Sequence, residues 1–176
     1  MKTNIALIGF MGTGKTAVGG ALADKLGKKL VELDFLIEQK AGKPIPEIFQ
    51  QDGEIAFREL EIEVTREVSA GTNLIIACGG GVVLNKINID RLKKKSVIVC
   101  LTASPSVILK RTLQDGETRP LLEVSDRTAE IRGLLAFRKP FYERAADIEM
   151  NTSKMDIDSI VEQIINKVKE DESFNS

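Results

Sequence analysis

The chain has 176 residues, 43% of them apolar and 29% charged, with 25 basic against 26 acidic side chains. That is the size and balance of one globular domain, and a net charge of −1 argues against a broad electrostatic nucleic-acid binder. There is no histidine, which excludes Ser–His triads, histidine bases and zinc–imidazole sites, and two cysteines are too few for a four-cysteine metal site or a disulfide framework.

Residues 5–8 read as a strand and lead into the glycine-rich residues 9–14. Residues 16–26 follow as a helix, with Val18, Leu22 and Leu26 on one face. A second strand is expected at 29–33, then helices at 34–41 and 45–69. In the longer helix Phe57, Leu60 and Val64 recur at helical spacing, and Arg58 meets Glu61 one turn on. A third strand at 74–77 ends on Gly79-Gly80-Gly81. Helix 86–94, strand 96–101 and helix 105–112 come next. Residues 114–122 carry Asp-Gly and Arg-Pro and read as a mobile loop. Helix 125–144, strand 146–150 and helix 157–168 complete the pattern, and the polar residues 171–176 are expected to fray.

Continuous apolar strands alternating with helices predict an α/β fold with a largely parallel sheet, covered on both faces. The expected organisation is a single domain over 1–170. No apolar run approaches the ~20 residues that cross a bilayer, and neither leader nor anchor is expected. Cys78 and Cys100 lie in apolar stretches and read as reduced thiols of a cytoplasmic protein, one disulfide between them being the alternative.

The strongest chemical signal is Gly9-Phe10-Met11-Gly12-Thr13-Gly14-Lys15-Thr16, which fits the phosphate-binding loop in full. The glycines let backbone N–H groups turn inward around an anion, and the helix that follows adds its positive end. Lys15 can bridge terminal phosphates, and Thr16 offers a hydroxyl to Mg²⁺. Asn85-Lys86-Ile87-Asn88 lacks the aspartate that a guanine-reading motif needs, and a pump or helicase needs a longer chain. A small-molecule kinase fits best.

The loop, with Val18-Gly19 and Leu22-Ala23 after it, resembles that of the shikimate kinase family. The resemblance runs to about Met155. It includes Leu33-Asp34 with Ile37-Glu38, Gly53-Glu54 with Phe57-Arg58 and Glu61, the triple glycine, Arg119-Pro120-Leu121-Leu122, and Arg138, Pro140, Tyr142 and Ala145-Ala146-Asp147. Each motif is weak alone; six in the right order are specific.

The resemblance implies a three-layer α/β/α fold of the P-loop kinase type. It has a five-stranded parallel sheet, a lid near 112–124 and a substrate-binding subregion near 34–61. It implies transfer of the γ-phosphoryl of ATP to the 3-hydroxyl of shikimate, with Mg²⁺, in a cytoplasmic monomer that binds neither nucleic acid nor membrane. Gly12, Thr13, Gly14, Lys15, Thr16 and Ala17 would hold ATP, with Arg111 near the adenine and Arg119 closing on the phosphates. Asp34, Arg58, Gly79, Gly80, Gly81 and Arg138 would hold shikimate. Lys15, Asp34 and Arg119 would carry catalysis, and Thr16 and Glu32 would serve the metal.

Each residue's chemistry agrees. Guanidinium forks at Arg58 and Arg138 match a carboxylate, and Asp34 at a strand end can orient the attacking hydroxyl. Blander roles stand beside these: Arg58 as a solvated partner of Glu61, Asp34 as a helix N-cap, Arg111 as a dipole-compensating cation, Arg119 as an exposed loop residue. Two positions depart from the family pattern. Glu32 stands where the first aspartate of Asp-x-Asp is common, and Cys78 where a small hydroxyl residue is usual. The rival readings are a related small kinase acting on gluconate or a nucleoside monophosphate, and a nucleotide-binding regulator without transfer activity.

Overall fold

The computed structural model describes residues 1–116 and 119–175. Five strands form one parallel sheet: β1 (Asn4–Gly9), β2 (Lys29–Glu32), β3 (Leu74–Ala77), β4 (Ser96–Thr102) and β5 (Ile148–Asn151), in the order β2-β3-β1-β4-β5. The helices are α1 (Lys15–Leu26), α2 (Leu33–Ala41), α3 (Ile45–Gln51), α4 (Gly53–Ser69), α5 (Lys86–Lys93), α6 (Pro105–Gln114), α7 (Arg127–Ala145) and α8 (Ile157–Lys169).

The three layers follow from strand alternation. Ile5 and Leu7 face one core, with α1 and α8 over it; Ala6 and Ile8 face the other, covered by α2 to α7. Every residue of β1 is buried, as a strand covered on both faces requires. Each fully buried leucine or isoleucine on this sheet contributes about 1.5–3 kcal/mol over its exposed state.

Topology also places the chemistry. β1, β2 and β3 are consecutive in the chain, yet β3 inserts between the other two. Leu7 is level with Ala77, and Ala77 with Glu32. The segments leaving their carboxyl ends therefore converge: the glycine loop, Asp34 in the first turn of α2, and the triple glycine. Ligands of open parallel sheets bind where such ends diverge.

Three expectations change. The helix expected over 45–69 is two helices, broken at Asp52 and at Gly53, whose φ is +85°. A left-handed residue cannot continue an α-helix. The last strand starts at Ile148 rather than Ala146, because Asp147 spends its carboxylate on the Ile98 N–H at 2.8 Å. The polar end of the chain, expected to fray, is paired with the start of the chain through residue 175. Lys2 N–H donates to Ser173 O at 2.7 Å, Asn175 N–H donates to Lys2 O at 2.8 Å, and Phe174 packs on the α1/α8 core. Cys78 and Cys100 are both buried and both free thiols. No described helix is long and apolar enough to cross a membrane. Residues 117 and 118 of the expected lid, and residue 176, lie outside the described residues.

Gly9 anchors the turn from sheet to loop. Its φ is +144°, and a Cβ there would stand 2.3 Å from the Leu101 carbonyl oxygen. Both the backbone and the space reject a side chain. Gly9→Ala should lower stability by about 2–4 kcal/mol, a fall in Tm on the order of 10 °C, checked by thermal unfolding.

Candidate active site

One cavity of about 980 Å³ runs along the carboxyl ends of the strands, and it is lined by every residue proposed from the sequence for a site role except Thr13. Thr13 is buried beneath the loop, with its hydroxyl donating to Phe10 O at 2.8 Å. It shapes the loop from behind.

At the nucleotide end, Gly12 and Gly14 take φ of +73° and +99°. No side chain caps the first turn of α1 and no acid lies in it, so the positive helix end is left to an anion. Lys15 Nζ donates to Gly9 O at 2.8 Å and Phe10 O at 2.9 Å. Burial lowers its pKa to about 8, against the opposing pull of Asp34. The charge of Arg119 acts in the same direction as burial. Thr16 Oγ1 donates to Glu32 Oε1 at 2.7 Å. A hydroxyl and a carboxylate side by side, next to the phosphate loop, are the hard oxygen donors that suit Mg²⁺, which needs few protein ligands when phosphates supply the rest. The extra methylene of Glu32 does not separate it from Thr16.

Arg111 does more than compensate a helix dipole. Its Nη1 donates to Gly12 O at 3.2 Å and to Thr152 Oγ1 at 3.1 Å, and its Nη2 to Thr152 O at 2.8 Å. It fastens the phosphate loop to the turn after β5. Arg119 borders the same cavity and forms an ion pair with Asp115. Leu122, three residues on, is buried against the core.

The acceptor end is organised by the triple glycine. None of the three has a positive φ, so these positions need space rather than conformational freedom. A Cβ on Gly79 would lie 2.8 Å from Asp34 Oδ1 and 3.2 Å from Glu61 Oε2; on Gly80, 3.4 Å from Arg138 Nη1; on Gly81, 2.3 Å from Arg58 Nη1. Three missing side chains thus bring four charged groups against one stretch of backbone. Asp34 is not the N-cap of α2; Glu32 is. The Asp34 carboxylate is exposed to the cavity.

Arg58 is both paired and in the site. It donates to Glu61 Oε1 at 3.0 Å and Glu54 Oε1 at 3.2 Å, with 14% of its side chain exposed. Arg138 is 3% exposed and stands 5.6 Å from the centroid of the Phe10 ring. The Nε atoms of Arg58 and Arg138 and Glu61 Oε2 are buried without a hydrogen-bond partner. Two buried guanidinium donors without acceptors are unusual in a resting fold and suited to an anionic ligand. Tyr142 holds the glycines from below, its hydroxyl donating to Gly80 O at 2.6 Å. Burial raises that phenol to about 12, so it stays a donor. Cys78 is 3% exposed, its thiol pushed well above its ordinary range by burial.

Thr152 lies in the segment Asn151 to Met155, which resembles the family's adenine loop only loosely, and sequence reading gave neither its side chain nor that of Tyr142 a role.

The shikimate kinase family model matches residues 11–169. A shikimate kinase of Pelotomaculum thermopropionicum is 43% identical over 167 residues, spanning 95% of this chain and 96% of the relative. One of Thermodesulfovibrio yellowstonii is 46% identical over 162 residues, 92% of each chain. The solved structure of a shikimate kinase from Acinetobacter baumannii in complex with shikimate matches with a TM-score of 0.92 at 34% identity, covering 98% of this chain and 96% of that one. A gluconokinase from Sinorhizobium meliloti, at TM-score 0.61 and 18% identity, shares the fold alone.

Glu61 gives this site a pH signature. Burial raises its pKa from 4.5 to about 7, against the pull of Arg58. Between those values the folded protein keeps a proton that the unfolded chain has released, so stability falls as pH rises through that window. Glu61→Gln removes the titration. Urea unfolding at about pH 5 and about pH 7.5 should show a smaller loss for Glu61→Gln than for the wild type.

Proposed function

The chain belongs to the shikimate kinase family, and from that premise we propose that its cleft transfers the γ-phosphoryl group of ATP to the 3-hydroxyl of shikimate, giving shikimate 3-phosphate and ADP. The observation that carries the reading is the pair of buried arginines, Arg58 and Arg138, each with an Nε donor lacking a partner, set around the triple glycine beside Asp34. Shikimate presents one carboxylate and three hydroxyls. The arginines are matched to the carboxylate as bidentate forks. With the carboxylate held there, Asp34 accepts the hydrogen bond of a ring hydroxyl.

Phosphoryl transfer asks the protein mainly for alignment and charge neutralisation. Lys15 exchanges its carbonyl partners for the terminal phosphates of ATP, and the loop amides hold the rest. Arg119, already felt electrostatically at Lys15, closes over the charge that develops in transfer. Asp34 orients the attacking oxygen and takes its proton. Thr16 and Glu32 would hold Mg²⁺, which supplies charge neutralisation on the phosphates. Residues 1–170 work as one domain, with 34–61 as the acceptor region and 112–124 as the lid. The enzyme acts as a monomer in the cytoplasm, where its two buried thiols stay reduced.

The deciding experiment is ADP release from MgATP with shikimate, gluconate or AMP as acceptor. Release that depends on shikimate alone is expected. Stimulation by gluconate or AMP instead would reassign the acceptor, and ATP binding without turnover would mark a regulator.

The lowered pKa of Lys15 adds a second expectation. The free enzyme loses the ammonium as pH rises through about 8. Phosphates favour the charged form, so the bound enzyme keeps it longer. The pH profile of kcat/KM for MgATP should fall above pH 8, while kcat holds to higher pH.

A further inference from the structure

Thr152 follows β5 and lies outside the groups assigned above to either substrate. It is 2% exposed. Its hydroxyl stands 2.8 Å from Thr13 O and 3.1 Å from Thr102 O, and accepts from Arg111 Nη1 at 3.1 Å. A hydroxyl has one hydrogen and two lone pairs. It donates to one carbonyl at a time, or shares between the two, and its remaining capacity takes the arginine. Its backbone is committed as well. Thr152 N–H donates to Thr102 O at 2.8 Å, and Thr152 O accepts from Arg111 Nη2 at 2.8 Å.

Four segments distant in sequence therefore meet at one buried hydroxyl: the phosphate loop, the end of β4, α6 and the turn after β5. Arg111 has Gly12 O as a third acceptor. Acceptors along its edge fix the guanidinium plane and leave its faces for a flat group. The arginine lines the cavity while the threonine beneath it does not.

We propose that Thr152 is a positioning residue for the nucleotide. It locks the Arg111 guanidinium and the Thr13 carbonyl into one fixed relation, so that the base side and the phosphate side of the ATP site are preformed together. The proposal rests on the reading that places Arg111 beside the adenine. A buried, charge-assisted junction of this kind is worth more than a surface contact, because losing its hydroxyl strands the other groups in low dielectric.

Thr152→Val keeps the shape and deletes the hydroxyl. KM for MgATP and Kd for MgADP (by calorimetry, which needs no turnover) should each rise on the order of tenfold, while KM for shikimate stays within about twofold. Thr152→Ser should restore both nucleotide constants. If valine at this position prevents folding, Thr152→Ala is judged by the same split between the two substrates. A variant that loses thermal stability yet keeps its MgADP affinity, or one whose two KM values rise together, would overturn the proposal. Arg111→Ala separates this failure from failure of the site reading. Weaker MgADP binding in Arg111→Ala alone sinks the role of Thr152 and keeps Arg111 in the site. Unchanged MgADP binding in both variants sinks both.

Discussion

The acceptor end of this molecule depends on one constraint: four charged side chains must approach a single stretch of backbone that carries no side chains of its own. Asp34, Arg58, Glu61 and Arg138 come from three different helices, and all reach the triple glycine after β3. A methyl group at Gly81 would overlap the Arg58 guanidinium, which lies within 2.6 Å of where that carbon would be. One at Gly79 would press on two carboxylates at once. The glycines do form a turn, with Val82 N–H donating to Gly79 O at 3.2 Å, but none of the three takes a positive φ, so the turn itself does not require them. They are an absence of volume, and the charges fill it.

Such an arrangement is poor for stability. Glu61 is 1% exposed with one oxygen unpartnered, and the Nε atoms of two arginines are buried without acceptors. Buried charges are costly when their hydrogen bonds are incomplete. The sheet beneath is built to bear that cost. All of β1 and most of β4 are buried, and two apolar cores press on it from opposite sides. The unpartnered polar atoms of Arg58, Glu61 and Arg138 sit over that apolar framework, which is where a site that must grip an anion needs them.

What was legible in the sequence was local. The phosphate loop is eight consecutive residues, and its glycines and lysine have the same meaning wherever they follow a strand and open a helix. The central strands β1, β3 and β4 were legible because each is a short apolar run buried along nearly its whole length, whereas the edge strands β2 and β5 are partly exposed and carry charged residues. The break between α3 and α4 was not read, although the Asp52-Gly53 dipeptide is a turn signal. Apolar spacing continues through it, because both helices pack against the same core through Ile48 and Phe57. The pairing of the polar chain end with the backbone of Lys2 was not read, because composition does not reveal that partner. Thr152 is the clearest case. It lies 139 residues from Thr13, and only the folded sheet, with β1 beside β4 and β4 beside β5, brings them within 2.8 Å.

The two departures from the family pattern part company once the packing is known. Glu32 ends β2 level with Ala77, and its side chain still reaches Thr16. The longer acid still sets its carboxylate 2.7 Å from the hydroxyl in the first turn of α1. Cys78 is a different kind of residue. Its thiol is buried in the core that underlies α2 to α7, 3.9 Å from the Ile76 carbonyl oxygen. Burial holds it protonated, well above its ordinary range. A neutral thiol there has packing to do and little to offer a metal-bound water. The proposed cation shell therefore rests on Thr16 and Glu32, one on the helix that receives the phosphates and one on the strand that leads to Asp34. That places Glu32, proposed for the cation, and Asp34, proposed for the acceptor hydroxyl, two positions apart in one chain segment.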